Sequence, residues 1–142
     1  LAKADIEKDG VKVVDTPAEL FKKCQYVSLH IPATAETKGS INYDLLMAMP
    51  AGAVLVNTAR KEVVNEADLL KVYEERPDFA YVTDVVPDCA EQIVEQFAKR
   101  YYATPKKMGA QTEEANVNAG MAAAVQIKNF FEKGDKTFQV NK

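Results

Sequence analysis

The sequence predicts an α/β fold with a doubly wound parallel sheet, and three observations carry that expectation. Short apolar runs recur along the chain, helical patterns of about ten to fifteen residues separate them, and several of those patterns open on a capping residue. Strands joined through crossover helices pair in parallel, and such crossovers are right-handed.

Taken in order, the Ala/Lys/Asp/Glu-rich first residues read as the helix or loop that follows an earlier strand, and residues 11–14 (Val-Lys-Val-Val) as a short buried strand. Thr16-Pro17-Ala18-Glu19 is a helix start: Thr16 as N-cap, Pro17 at the first helical position, Glu19 closing a capping box. Leu20, Phe21 and Cys24 supply that helix's apolar stripe. Residues 26–29 are the next strand, 43–49 a short helix stopped by Pro50, and 53–56 the third strand. A helix over 66–75 follows the Asn65 cap, then a strand over 79–82, a helix over 91–99 and a short strand over 101–103. Thr112 caps a long Ala-rich helix that ends near Gly134.

Composition narrows the function classes. The chain has 142 residues, 47% of them hydrophobic, with a formal net charge of -3 and a pI near 5.3. An acidic chain without a basic cluster is a poor nucleic-acid ligand. No apolar run approaches the roughly 18 residues of a membrane span, and no signal-like segment opens the chain. Cys24 and Cys89 are isolated thiols without metal-ligand spacing, so no metal site is expected and a reducing cytoplasm is the expected compartment.

Residues 54–65 are the most informative stretch, because an apolar strand runs directly into a turn that presents Arg60. Ligands of open α/β sheets collect outside the carboxyl ends of the strands. A guanidinium there matches a carboxylate with two parallel hydrogen bonds. The competing reading is an ordinary surface salt bridge.

Asn57-Thr58-Ala59-Arg60 with Val63-Val64-Asn65-Glu66 resembles the strand-end pattern of the D-2-hydroxyacid dehydrogenase family. Val27 to Thr34, containing Leu29-His30-Ile31-Pro32, followed by Glu36-Thr37-Lys38-Gly39, is similar to that family's Leu-His-x-Pro-x-Thr-x-x-Thr segment. Tyr81-Val82-Thr83-Asp84-Val85 is similar to its Ala-x-Leu-Asp-Val strand end. Gly109-Ala110-Gln111-Thr112-Glu113-Glu114-Ala115 resembles a segment of its 3-phosphoglycerate dehydrogenase branch. The four matches fall in order and span most of the chain.

The resemblance implies hydride transfer between C2 of a D-2-hydroxy acid and the nicotinamide of NAD, with 3-phosphoglycerate as the expected substrate and serine synthesis as its setting. Arg60 would orient the substrate carboxylate and polarise the carbonyl, and Asp84 would accept a hydrogen bond from the nicotinamide carboxamide. His30 and Pro32 would line the ribose and pyrophosphate edge, and Thr58, Ala59 and Arg60 would complete the cofactor-binding set. The long helix would take part in a homodimer contact, with apolar residues such as Val117, Val125, Ile127 and Phe130 on more than one face.

The chain departs from the family at two points. The Gly-x-Gly-x-x-Gly turn that holds a pyrophosphate is absent: glycines at 10, 39, 52, 109, 120 and 134 never take that spacing. Residues 1–111 are therefore expected to be the second half of a Rossmann-like NAD-binding domain. Residues 112–142 would be the crossover helix and tail returning to the substrate domain, with no regulatory domain after Lys142. The partner would be the missing N-terminal portion of the same protein, and this chain alone would be inactive. The second departure is in the acid/base dyad. The family's His after Thr-Pro is replaced in Thr104-Pro105-Lys106-Lys107, and its Glu five residues beyond the Asp is Cys89.

Both losses fit a lysine acid/base. An imidazole of pKa about 6.5 needs a carboxylate to stay protonated at neutral pH, whereas a lysine near 10.4 is already cationic. It needs instead a depressed pKa, from partial burial and the Arg60 charge. The rigid Pro105 favours Lys106, with Lys107 as the alternate. The other function class is a non-catalytic, NAD-sensing binding module of the same fold.

Overall fold

The computed structural model describes residues 3–106 and 112–141. It divides into two compact units, Leu1–Lys106 and Lys107–Lys142. In the first, helices α1 (Lys3–Glu7) and α2 (Pro17–Lys23) precede strand β1 (Tyr26–Leu29). Then come α3 (Tyr43–Ala48), β2 (Val54–Asn57), α4 (Glu66–Glu75), β3 (Ala80–Thr83), α5 (Ala90–Phe97) and β4 (Tyr101–Ala103). The strands form one parallel sheet in the order β1-β2-β3-β4, an α/β, Rossmann-like arrangement.

The caps act as their residue types dictate. Thr16 accepts from Glu19 N, Asn42 from Leu45 N and Asn65 from Asp68 N, each filling an N-terminal donor that its helix leaves open. Helices α2 to α5 neighbour one another in sequence. Beneath them lie Val27, Leu29, Leu55 and Tyr81, fully or almost fully buried, with Leu46, Leu69, Val72, Tyr73 and Ile93 in the same core. The alternate strand residues face the other way: Tyr26 and Tyr102 are exposed and Val54, Val56 and Val82 half-buried.

Two expectations are corrected. Residues 11–14 form no strand: no described segment pairs with them and Val11 is exposed. A β-branched run is a strand only where a neighbour offers a hydrogen-bond ladder; here it is the extended approach to the Thr16 cap. The helix expected over 91–99 ends at Phe97, and residues 98–100 form a 3-10 turn. The break serves Arg100, whose guanidinium donates to Tyr73 O and Arg76 O at the end of α4 and lies over the Tyr73 and Phe97 rings.

A second guanidinium closes the same edge of the sheet. Arg76, 8% exposed, donates to Leu46 O, Met49 O and Pro50 O and to both carboxylate oxygens of Asp78. Asp78 also accepts from Gly52 N at 2.7 Å. Gly52 has φ +70°, a left-handed conformation that favours glycine, and a Cβ there would push aside the end of the Gln25 side chain, 2.8 Å away.

The second unit contains α6 (Glu113–Lys133), capped by Thr112 through Ala115 N and ended by Gly134 at φ +65°. Met121, Ile127 and Phe131 on it are exposed.

The Arg76 guanidinium holds the Asp78 carboxyl down at about 2, below its ordinary 3.8. A depressed folded-state pKa contributes stability that is complete above 3.8 and disappears as pH falls through about 2. Asp78→Asn should therefore melt below wild type at neutral pH, with the gap closing between about pH 4 and pH 2. A gap that stays constant across that range in thermal melts would refute the pairing.

Candidate functional site

Parallel pairing brings the four strand ends level. Leu29 lies opposite Asn57, Asn57 opposite Thr83 and Thr83 opposite Ala103. The residues that follow them, His30, Thr58, Asp84 and Thr104, therefore stand side by side on the carboxyl edge. Of the expected site residues, the register gathers His30, Pro32, Thr58, Ala59, Arg60, Asp84 and Lys106 into the turns that leave this edge.

Asn57 builds the turn that carries Arg60. Fully buried, its side chain accepts from Ala59 N at 3.0 Å and donates to Arg60 O at 3.0 Å and Tyr81 Oη at 3.1 Å. This Asx-type turn wraps the backbone of 58–60 around one amide. Arg60 is exposed; its Nη1 donates to Ala59 O at 2.8 Å, and no carboxylate among the described residues forms an ion pair with it. The surface salt bridge that competed with the clamp reading is thus not among the ion pairs described. Thr58 is exposed and Ala59 half-buried.

Asp84 follows β3. Its backbone N donates to Asn57 O at 3.3 Å, while Thr83 Oγ1 donates to Asn57 O at 2.7 Å and accepts from Val85 N at 3.0 Å. The side-chain Oδ1 is buried and finds no hydrogen-bond partner among the described residues. An orphaned buried acceptor is costly unless a donor arrives from outside the chain.

After β1, His30 is exposed and its Nε2 lies 2.9 Å from Ser28 Oγ. Pro32 O accepts from Thr37 Oγ1 at 2.6 Å, and Thr34 N donates to the same hydroxyl at 2.7 Å, so a Thr34/Thr37 turn shapes the loop. His30 and Ile31 line an apolar cleft of about 540 Å³ with Leu20, Leu29 and Leu45. Gly39 N and Ile41 N bond to Glu62 O and Val63 O, which ties this loop to the turn beyond Arg60.

Lys106 follows Pro105 past β4; its carbonyl accepts from Thr104 Oγ1 at 3.0 Å. It is exposed, without the partial burial expected of it. Lys107 and residues 108–111, with Gly109, Ala110 and Gln111 of the last motif, lie outside the described residues.

Cys89 is buried, and burial first, then the Glu66 carboxylate, push its thiol up to about 12. It keeps its proton at neutral pH and is no acid or base there. Asp88 beside it is held by Lys61 at 2.6 Å. Glu66 accepts from Asp88 N at 2.9 Å and Cys89 N at 2.8 Å. Sequence reasoning noted Glu66 only as part of a motif, because its partners lie two elements further on.

The family model for the D-isomer specific 2-hydroxyacid dehydrogenase NAD binding domain matches residues 2–105. The chain belongs to this family. A D-3-phosphoglycerate dehydrogenase of Methanocaldococcus jannaschii is 31% identical over 122 residues, 86% of this chain and 23% of that protein. An erythronate-4-phosphate dehydrogenase of a Psychrobacter species is 32% identical over 82% of this chain and 33% of its own length. Among solved structures, an NAD+-bound 3-phosphoglycerate dehydrogenase of Entamoeba histolytica is 50% identical with a TM-score of 0.81, covering 91% of this chain and 42% of that one. The chain thus spans about a quarter to a third of the curated relatives it matches.

The residues of this NAD-binding domain fit their cofactor on one side. The orphaned Asp84 Oδ1 needs a donor, and a nicotinamide carboxamide offers one. The glycine-rich pyrophosphate turn is not in this sequence. Among the described residues no cluster of His, Cys, Asp and Glu could hold a metal ion, and no helix is long and apolar enough to cross a membrane.

Asn57→Ala would remove the amide that bonds Arg60 O, Ala59 N and Tyr81 Oη at the part-buried end of β2. It should destabilise the domain by about 2–4 kcal/mol in urea titration. A loss below about 1 kcal/mol would mean that the turn holds its shape without this amide.

Proposed function

We propose that the complete protein is an NAD-dependent dehydrogenase that oxidises a D-2-hydroxy acid, with 3-phosphoglycerate as substrate and serine synthesis in the cytosol as its setting. The observation that carries this reading is Arg60, exposed on the level strand edge without a carboxylate partner among the described residues, in a turn bonded to the strand that delivers Asp84. The substrate rests on relatives named 3-phosphoglycerate dehydrogenase, one of them 50% identical in structure-based comparison.

Arg60 would grip the substrate carboxylate with two parallel hydrogen bonds and stabilise charge on the C2 oxygen. Lys106, as a neutral amine, would take the proton of the C2 hydroxyl as hydride leaves C2, with Lys107 as the alternate base. NAD, when bound, supplies the hydride acceptor. Asp84 would hold the carboxamide, and His30, Pro32, Thr58 and Ala59 would line the cofactor's path.

The preceding part of the protein would contribute the glycine-rich turn and cover the sheet face that carries Val54, Val56 and Val82. Residues 1–111 would then complete the NAD-binding domain, and 112–142 would return to the substrate domain. The exposed Met121, Ile127 and Phe131 on α6 fit burial against a second copy. The complete protein should therefore sediment as a homodimer at micromolar concentration. A stable monomer there would remove α6 as an interface.

In the complete protein, Arg60→Ala should lower kcat/KM for 3-phosphoglycerate by at least about a hundredfold. Lys106→Ala should abolish turnover with NAD affinity nearly unchanged. Loss on Lys107→Ala alone would move the base by one residue. Full activity in both lysine variants would end the lysine mechanism, and an Arg60→Ala enzyme within about threefold of wild type would end the clamp.

A further inference from the structure

Glu66 is the first residue of α4, yet its carboxylate serves another element. It accepts from Asp88 N at 2.9 Å and Cys89 N at 2.8 Å, where the loop after β3 turns into α5. Helix α5 has no side-chain cap of its own: Cys89 stands at its N-cap and makes no capping bond. Glu66 holds the backbone N–H groups that lead into α5, and its negative charge stands near the positive end of that helix. A second tie runs beside it, from Lys61 Nζ to Asp88 Oδ1 at 2.6 Å. The segment bearing Arg60 and the segment bearing Asp84 are thus bonded to each other in two places beyond the sheet.

The loop so fixed is short. At its start, Asp84 N and Thr83 Oγ1 both donate to Asn57 O. At its end, Glu66 holds the backbone of Asp88 and Cys89. Asp84 opens the loop at the first anchor, and its Oδ1 is buried without a partner among the described residues. A carboxylate oxygen in that state would swing to water or to a backbone N–H if the loop could relax.

We infer that Glu66 is a positioning residue: by holding the far end of the 84–89 loop, it fixes Asp84 where the nicotinamide carboxamide of NAD is to be bound. This rests on the proposed cofactor reading of Asp84 and adds to it a residue that would touch neither cofactor nor substrate. Glu66→Ala removes both acceptors. Glu66→Gln keeps the side-chain length and one acceptor oxygen but sets an amide N–H against a backbone donor.

The test uses the complete protein and two ligands, NAD and ADP-ribose, which lacks the nicotinamide ring. Calorimetric titration should show NAD weakened at least about fivefold by Glu66→Ala and by an intermediate factor in Glu66→Gln, with ADP-ribose within about twofold of wild type. A merely structural role would weaken both ligands alike, and that outcome overturns the inference, as does unchanged NAD affinity. Should Glu66→Ala fail to fold, Glu66→Gln carries the same comparison, with equal shifts for the two ligands as the overturning result. A wild-type protein that binds ADP-ribose and NAD equally would overturn the cofactor reading of Asp84, and this inference with it.

Discussion

The Asn57 side chain, buried at the end of β2, bonds to Ala59 N, Arg60 O and Tyr81 Oη, while its own carbonyl accepts from Thr83 Oγ1 and Asp84 N. One residue thereby closes the turn that presents Arg60 and fixes where β3 releases Asp84. A short polar side chain with a donor and an acceptor at its tip is required, because both a backbone N–H and a backbone C=O must be satisfied away from water. Aspartate would lose the donors and leucine both functions.

The three arginines near the sheet differ in what their guanidiniums are left to do. Arg76 uses its donors on three carbonyls and a carboxylate, and Arg100 uses its own on carbonyls at the end of α4. Both sit where helices end and strands begin, at the edge opposite the site, and there they offset carbonyls that the helices leave unbonded. Arg60 sits at the other edge, exposed, with Ala59 O as its described acceptor. A parallel sheet sorts its arginines this way because every strand ends on the same side.

Much of this fold was legible because its signals are local. The Thr16, Asn65 and Thr112 caps, the Gly134 stop and the apolar runs of β1 and β4 are each decided within a few residues. Residues 11–14 misled for the converse reason: their β-branched side chains satisfy a local preference, while strand formation needs a partner elsewhere in the chain. The end of α5 was likewise set at a distance, by the approach of Arg100 to Tyr73 and Phe97. At the candidate site, residue types and strand ends could be read, but not bonds such as those of Glu66, which reach 22 and 23 positions along the chain.

The departure from the family's His–Glu dyad has a structural counterpart around Cys89. In this chain position 89 is turned into the core, its thiol held neutral by burial and its backbone N bonded to Glu66. The neighbouring carboxylates are engaged elsewhere in this structure: Asp88 pairs with Lys61 at the surface, and Glu66 accepts from two backbone donors. An imidazolium at the position after Pro105 would therefore find no carboxylate at position 89, where the family's Glu stands. A lysine there is a cation without such a partner. The buried cysteine and the lysine after Pro105 are consistent with one another, and the end of the 84–89 loop is bonded to Glu66 through its backbone.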